Sequence, residues 1–211
     1  MIRISIDENS LLRIKTVLES NEKKSAYILR KVVNETAKKA KQTIIKAVKH
    51  DYDIQYMKKD DKGNFLKDNL EVKKATLKNL NASLVSKGNK LDVSKFKVNP
   101  NKLSRTNDRP KVYKAKVLKS STLKKMQVGN MKAFLVKFDN GHEALVQRVF
   151  GKRIKTRLGK VTKHNQALES LYTVSMPEMF GGKHGYLKVQ DEVDDILQEN
   201  IYKELERALA N

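Results

Sequence analysis

Seven apolar residues, Ala26, Leu29, Val33, Ala37, Ala40, Ile44 and Ala47, recur at steps of three and four along the chain. Residues so spaced share one face of a helix, so the pattern predicts a long helix with a single apolar stripe. Three of the four stripe positions from Ala37 onward are alanines, which lets a neighbouring element approach closely. The helix is expected to end near His50, where Asp51-Tyr52-Asp53 breaks the spacing. A second stripe, Val193, Leu197, Ile201, Leu205 and Leu209, widened by Ile196 and Ala208, predicts a closing helix from about Leu187 to Leu209.

Between the two stripes the period changes from helical to two-residue. Ile2, Ile4 and Ile6 share one face of a short opening strand. Leu70 to Ala75, Ala82 to Ser86 and Leu91 to Val93 read as short strands, with Ser86-Lys87-Gly88-Asn89-Lys90 as a hairpin turn. Asn99 to Pro110 holds two prolines and suits a polar loop. Val112 to Leu118 alternates again. Met131 to Phe138 and Glu143 to Val149 flank Asp139-Asn140-Gly141-His142, and Asn-Gly between two apolar runs is a strong hairpin signal. Gly151 to Gln166 reads as a second polar stretch, Leu171 to Pro177 as extended chain, and Gly181 to Gly185 as a flexible turn. The expected fold is α+β: a long N-terminal helix and a C-terminal helix packed on a mainly antiparallel β-sheet. It is expected as one domain over residues 1–211. Residues 1–50 give strand and helix, 51–186 strands with long basic loops, and 187–211 the closing helix.

The formal net charge is +21, from 45 basic and 24 acidic residues. The excess is uneven. Lys102 to Lys163 holds 18 basic and 3 acidic residues, whereas Leu187 to Asn211 holds 3 basic and 7 acidic. This polarity fits head-to-tail association of copies, basic surface against acidic surface. The same basic stretch fits contact with a nucleic-acid backbone, and it equally fits a solvated surface. The candidate subunit or DNA contacts are Lys102, Arg105, Arg109, Arg148, Lys152, Arg153, Lys155, Arg157, Lys160 and Lys163, with Asn140 and Gly141 at the hairpin. Tyr113, Phe134 and Phe138, interleaved with lysines, are read either as core or as a base-stacking platform.

Catalysis needs groups held together with tuned acidity, and the sequence offers no such set. His50, His142, His164 and His184 are scattered, without helical metal-ligand spacing. Asp60-Asp61 and Asp194-Asp195 read as solvated carboxylates. Gly181-Gly182-Lys183-His184-Gly185 lacks the spacing and hydroxyl of a phosphate loop. The expectation is a protein that is not an enzyme and takes no cofactor, metal or small-molecule substrate. Cysteine is absent, which excludes disulfides and thiolate sites. No run approaches a membrane span, and the opening residues lack the apolar run of a signal peptide, so a cytosolic origin is expected.

Four segments, in order, resemble the minor tail protein Z family of tailed phages and prophages. Leu29 to Lys41, with Asn34-Glu35-Thr36-Ala37 and the basic residues after it, is similar to that family's Asn-x-Thr-Ala helix. Asn69 to Thr76, Asn79-Leu80-Asn81-Ala82 and Phe96 to Pro100 form the second group. Ala133-Phe134, Gly141-His142 and Val149-Phe150-Gly151-Lys152-Arg153 form the third. Leu168 to Met179 resembles the family's Gly-Pro-Ser-x-Pro-x-Met segment, with Tyr172-Thr173 standing where Gly-Pro is typical. The likeness covers roughly residues 25 to 205. It implies a non-catalytic structural protein of the virion, assembled in the bacterial cytoplasm. Its implied role is to complete the tail and make it competent for head-tail joining. Its implied partners are other tail and neck proteins and copies of itself, in a ring by analogy with other tail-end proteins, with contact to phage DNA left open.

Overall fold

The computed structural model describes residues 2–4, 12, 14, 16, 22–55, 65–103, 108–128, 131–155 and 161–209. Two compact units arise from interleaved stretches of chain. The first comprises Met1–His50, Gly63–Asn89 and Ser175–Asn211, the second Asp51–Lys62 and Lys90–Val174. The fold is α+β, with antiparallel strands distributed over several small sheets.

In the first unit, helix α1 (Glu22–Asp51) carries the expected stripe. Leu29, Val33, Ala37, Ala40, Ile44 and Ala47 are all buried. Strand β1 (Ile2–Ile4) belongs to a three-stranded sheet with β2 (Glu71–Lys73) and β3 (Ala82–Val85), in the order β1-β3-β2. Both pairings are antiparallel, and Ile2 and Val72 each stand opposite Leu84. A one-turn helix, α2 (Phe65–Asp68), buries Leu66. Helix α3 (Met176–Gly181) begins where Ser175 accepts from the Glu178 N–H and Glu178 reaches back to the Ser175 N–H. That reciprocal cap satisfies two otherwise orphaned donors, and Pro177 costs nothing in the first turn. Extended chain had been expected through Pro177, but it ends at Ser175 because this cap starts the helix.

Helix α4 (Tyr186–Leu209) closes the first unit. Its Leu197, Ile201 and Leu205 share a buried cluster with Ile14, Ile28, Leu29 and Val32. Polar groups then fix the alignment of α1 and α4. Buried Asn200 donates to Thr36 Oγ1 at 2.9 Å and accepts from Lys39 Nζ at 3.0 Å. Buried Glu204 pairs with Lys31 at 2.7 Å and with Arg207 at 2.6 Å. A slide by one turn would separate buried Asn200 from Thr36 and Lys39, and Glu204 from Lys31, leaving Glu204 only its pair with Arg207 on the same helix.

The expected hairpin at Ser86–Lys90 does not form. Strand β3 pairs with β1 and β2, and β4 (Lys90–Asp92) pairs with β13 (Tyr172–Ser175). Gly88 has φ +141°, and a side chain there would meet Met176 at ordinary contact distance.

In the second unit, β5 (Lys97–Asn99), β6 (Lys114–Lys116) and β7 (Lys124–Lys125) form one sheet. A short ribbon pairs β8 (Gln127–Val128) with β9 (Met131–Lys132). A third sheet has the order β10 (Phe134–Lys137), β11 (Glu143–Lys155), β12 (Val161–Ser170). The Asn-Gly hairpin joins β10 and β11 as expected, with Lys137 opposite Glu143. The core gathers Val98, Tyr113, Ala115, Phe134, Leu135, Leu145 and Val146 around a short 3-10 turn at Val93–Lys95. Buried Asp92 ties this together, its Oδ1 accepting from the N–H groups of Ser94 (2.8 Å) and Leu145 (3.1 Å).

The stretch from Gly151 to Gln166, expected as a polar loop, is largely strand. Arg153 stands opposite Gln166 and Lys155 opposite Val161. Register slips twice along this pairing. Between the Arg148–Leu168 and Arg153–Gln166 pairs, β11 advances five residues and β12 two. Gly151, at φ +74°, lies in the longer arm, where a bulge re-aims the strand.

Candidate functional site

The positive surface is built in the second unit, on two sheets. On the three-stranded sheet, Val98 and Ala115 face the core as a cross-strand pair. Alternation therefore sends their neighbours outward. Lys97 stands directly opposite Lys116, and Lys114 directly opposite Lys125. Like charges in direct opposition destabilise a sheet. One of the four is compensated: Lys116 lies 3.5 Å from buried Asp53 and donates to the Lys119 carbonyl at 2.9 Å. Lys97, Lys114 and Lys125 are exposed and make no ion pair among the described residues. Lys114 and Lys116 are among the lysines interleaved with the aromatic residues in the sequence, but their opposition to Lys125 and Lys97 is not legible there, because register with a partner strand is a non-local property.

The basic residues singled out from the sequence divide into four groups. Arg109 and Arg148 lie against the protein itself. Their guanidinium carbons sit 4.2 Å and 5.5 Å from the centre of the buried Phe134 ring, a cation–π geometry. Lys102 is exposed on the loop after β5, and Lys152 is exposed on β11. Arg153 and Lys155 lie on β11 and Lys163 on β12, and only their backbone is described. Arg105, Arg157 and Lys160 lie outside the described residues, as do Asp60 and Asp61. Of the aromatic residues, Tyr113 and Phe134 are core, which removes two of the three members of a stacking platform. Phe138 is exposed and stacks on His142, with ring centres 6.1 Å apart.

Asn140 and Gly141 form the turn itself. Asn140 Oδ1 accepts from the His142 N–H at 3.0 Å, and Gly141 takes φ +81°. A polar recess of about 370 Å³ lies against this turn, lined by Gln55, Ser94, Lys95, Asn101, His142 and Glu143 among others. Ser94 Oγ is engaged, donating to the Glu143 carbonyl at 2.9 Å, so it does not pair with the imidazole. The recess offers hydrogen bonds to a polar group but no nucleophile poised beside a base. Among the described residues, no three of His, Cys, Asp or Glu gather to hold a metal ion. No helix among them is long and apolar enough to cross a membrane.

The segments that carry the family resemblance do architectural work. The side-chain amide of Asn34 holds the backbone of Ala75, accepting from its N–H at 2.8 Å and donating to its carbonyl at 3.2 Å. Thr36 receives Asn200, and Ala37 is fully buried. Ser175 and Glu178 build the α3 cap. Asp194 and Asp195 are exposed on α4. Comparison with models of protein families, with curated proteins and with solved structures returns no match.

Proposed function

We propose that this chain is a non-enzymatic structural subunit of a phage tail or neck. In this reading it completes the tail and makes it competent to join the head, acting in the virion as an oligomer, a ring by analogy. The observation that carries the reading is that residues of the resembling segments fix elements of the first unit. Asn34 grips Ala75, Thr36 receives Asn200, and Ser175 caps α3 through Glu178. Asn34 and Ala75 thus join two of the resembling segments directly, and Thr36 ties the first of them to α4. Charge polarity adds support for self-association. The test is deletion of the gene from a phage that carries it, with electron microscopy of the lysate. Filled heads and separate, unjoined tails are expected, and added purified chain should restore joining. Normal virions from the deletion phage would refute the role.

A second reading has its own observation. The opposed lysines of the β5-β6-β7 sheet favour a basic protein that contacts phosphate backbone without sequence specificity. It predicts binding to unrelated duplexes with steep salt dependence.

A further inference from the structure

We infer that the outward face of the β5-β6-β7 sheet is a docking surface for the phosphate backbone of double-stranded nucleic acid, through Lys97, Lys114 and Lys125. The inference deepens the second reading above and rests on it.

Three observations converge on the face. Strand register sets Lys97 against Lys116 and Lys114 against Lys125, so four cations share one small sheet surface. Only Lys116 has a carboxylate beside it, Asp53, while the other three make no ion pair among the described residues. The uncompensated Lys114–Lys125 opposition works against the sheet in the free protein. A bound polyanion removes that opposition, because phosphates between the rows turn repulsion into attraction.

The chemistry of the face selects the partner. Protein–protein interfaces are depleted in Lys and enriched in aromatic residues, Met and Arg. This face has lysine and Asn99 instead, with Tyr113 and Phe134 turned into the core. A single-strand groove needs exposed rings on which bases stack. With none among the described residues of this face, the contact is to backbone charge, which a duplex presents at the highest density. Arg109 and Arg148, two of the candidates from sequence, already lie over Phe134.

The test uses the full chain and a fluorescently labelled 20-base-pair duplex of arbitrary sequence, titrated by polarisation between about 50 and 200 mM salt. Lys97→Gln, Lys114→Gln and Lys125→Gln are combined in one variant. Each phosphate contact contributes about 0.9 to the slope of log affinity against log salt. The triple variant should therefore flatten the slope by about 2.7 and weaken binding by roughly 100-fold or more near 100 mM salt. A matched variant, Lys73→Gln, Lys74→Gln and Lys78→Gln, has the same net charge and should bind like the parent. The triple Lys→Arg variant at 97, 114 and 125 should also bind like the parent, and matching melting curves check that all variants are folded. Equal losses in both Gln variants would show an effect of net charge alone and overturn the site. A parent that binds while the first Gln variant is unchanged overturns the face but leaves the second reading standing. A parent that does not bind overturns both. If the first Gln variant instead lowers the sedimenting mass of the DNA-free chain, the face meets protein, and the inference fails.

Discussion

Replacing Asn34 by Ala removes one side chain that makes two hydrogen bonds to Ala75, at 2.8 Å and 3.2 Å. Ala75 is only 5% exposed, so its freed N–H and carbonyl do not simply return to bulk water. Each neutral hydrogen bond is worth about 1 kcal/mol net, and an orphaned buried amide costs about 1–3 kcal/mol. Part of that penalty is relieved by relaxation of the loop, which places the expected loss near 3 kcal/mol. For a chain of this size that lowers the melting temperature by roughly 6–12 °C. Urea unfolding followed by far-UV circular dichroism at pH 7 measures it. Asn34→Asp separates the two bonds. The new carboxylate still accepts from the Ala75 N–H but turns an oxygen toward the Ala75 carbonyl, so the loss at pH 7 should match or exceed that of Asn34→Ala. Opposition from the carbonyl holds the introduced carboxyl above the ordinary Asp range, so the deficit relative to the parent should shrink as pH falls through that raised value and level off by about pH 4, where the acid has regained a donor. An Asn34→Ala loss under about 0.5 kcal/mol, with an Asn34→Asp deficit independent of pH, would refute the interlock.

Two further perturbations probe separate features. Burial alone pushes the Glu204 carboxyl up, but hydrogen bonds and charge from Lys31 and Arg207 outweigh it and hold the group below its ordinary range. Its proton therefore binds the unfolded chain more tightly. The stabilisation is complete above about pH 4.3 and is lost as pH falls through the folded value. Glu204→Gln should cost about 1–2 kcal/mol at pH 7, since both cations can turn back to water, and thermal melts from pH 7 to 3 should show the gap to the parent closing. Gly141→Ala meets no atom within 4 Å and suffers only from φ +81°, about 1 kcal/mol. Gly185→Ala runs its new carbon into the Phe180 and Met179 carbonyls and should cost more than about 3 kcal/mol; denaturation curves giving the opposite order would contradict this.

The helices were legible because their stripes are local and repeated. Asn140-Gly141 was legible because a two-residue turn writes its own signature. The failures concern partnership. Alternation in Ala82–Val85 and Lys90–Asp92 marks strands but not their neighbours, so adjacency in sequence suggested a hairpin where each strand pairs elsewhere. The β11–β12 hairpin was hidden because few of its outer residues are apolar and Gly151 interrupts the alternation. At the candidate site, charge was readable but its use was not. Nothing in sequence says that Arg109 and Arg148 lie over Phe134, or that Lys97 faces Lys116. The motif Asn34–Ala37 was noticed as a pattern, and its partners Ala75 and Asn200, 41 and 164 residues away from Asn34 and Thr36, lay beyond local reach.

The interleaving of the two units sets an order of events on the ribosome. The residues of the second unit, through Val174, are all synthesised before Tyr186–Leu209, the last helix of the first unit. At about 5–20 residues per second, the apolar patch Ile28, Leu29 and Val32 on α1 waits on the order of ten seconds for Leu197, Ile201 and Leu205. During that interval it is a target for chaperones and for other nascent chains. A product interrupted after Val174 leaves that patch without its α4 partners, so truncation there yields an aggregation-prone polypeptide rather than a smaller working one.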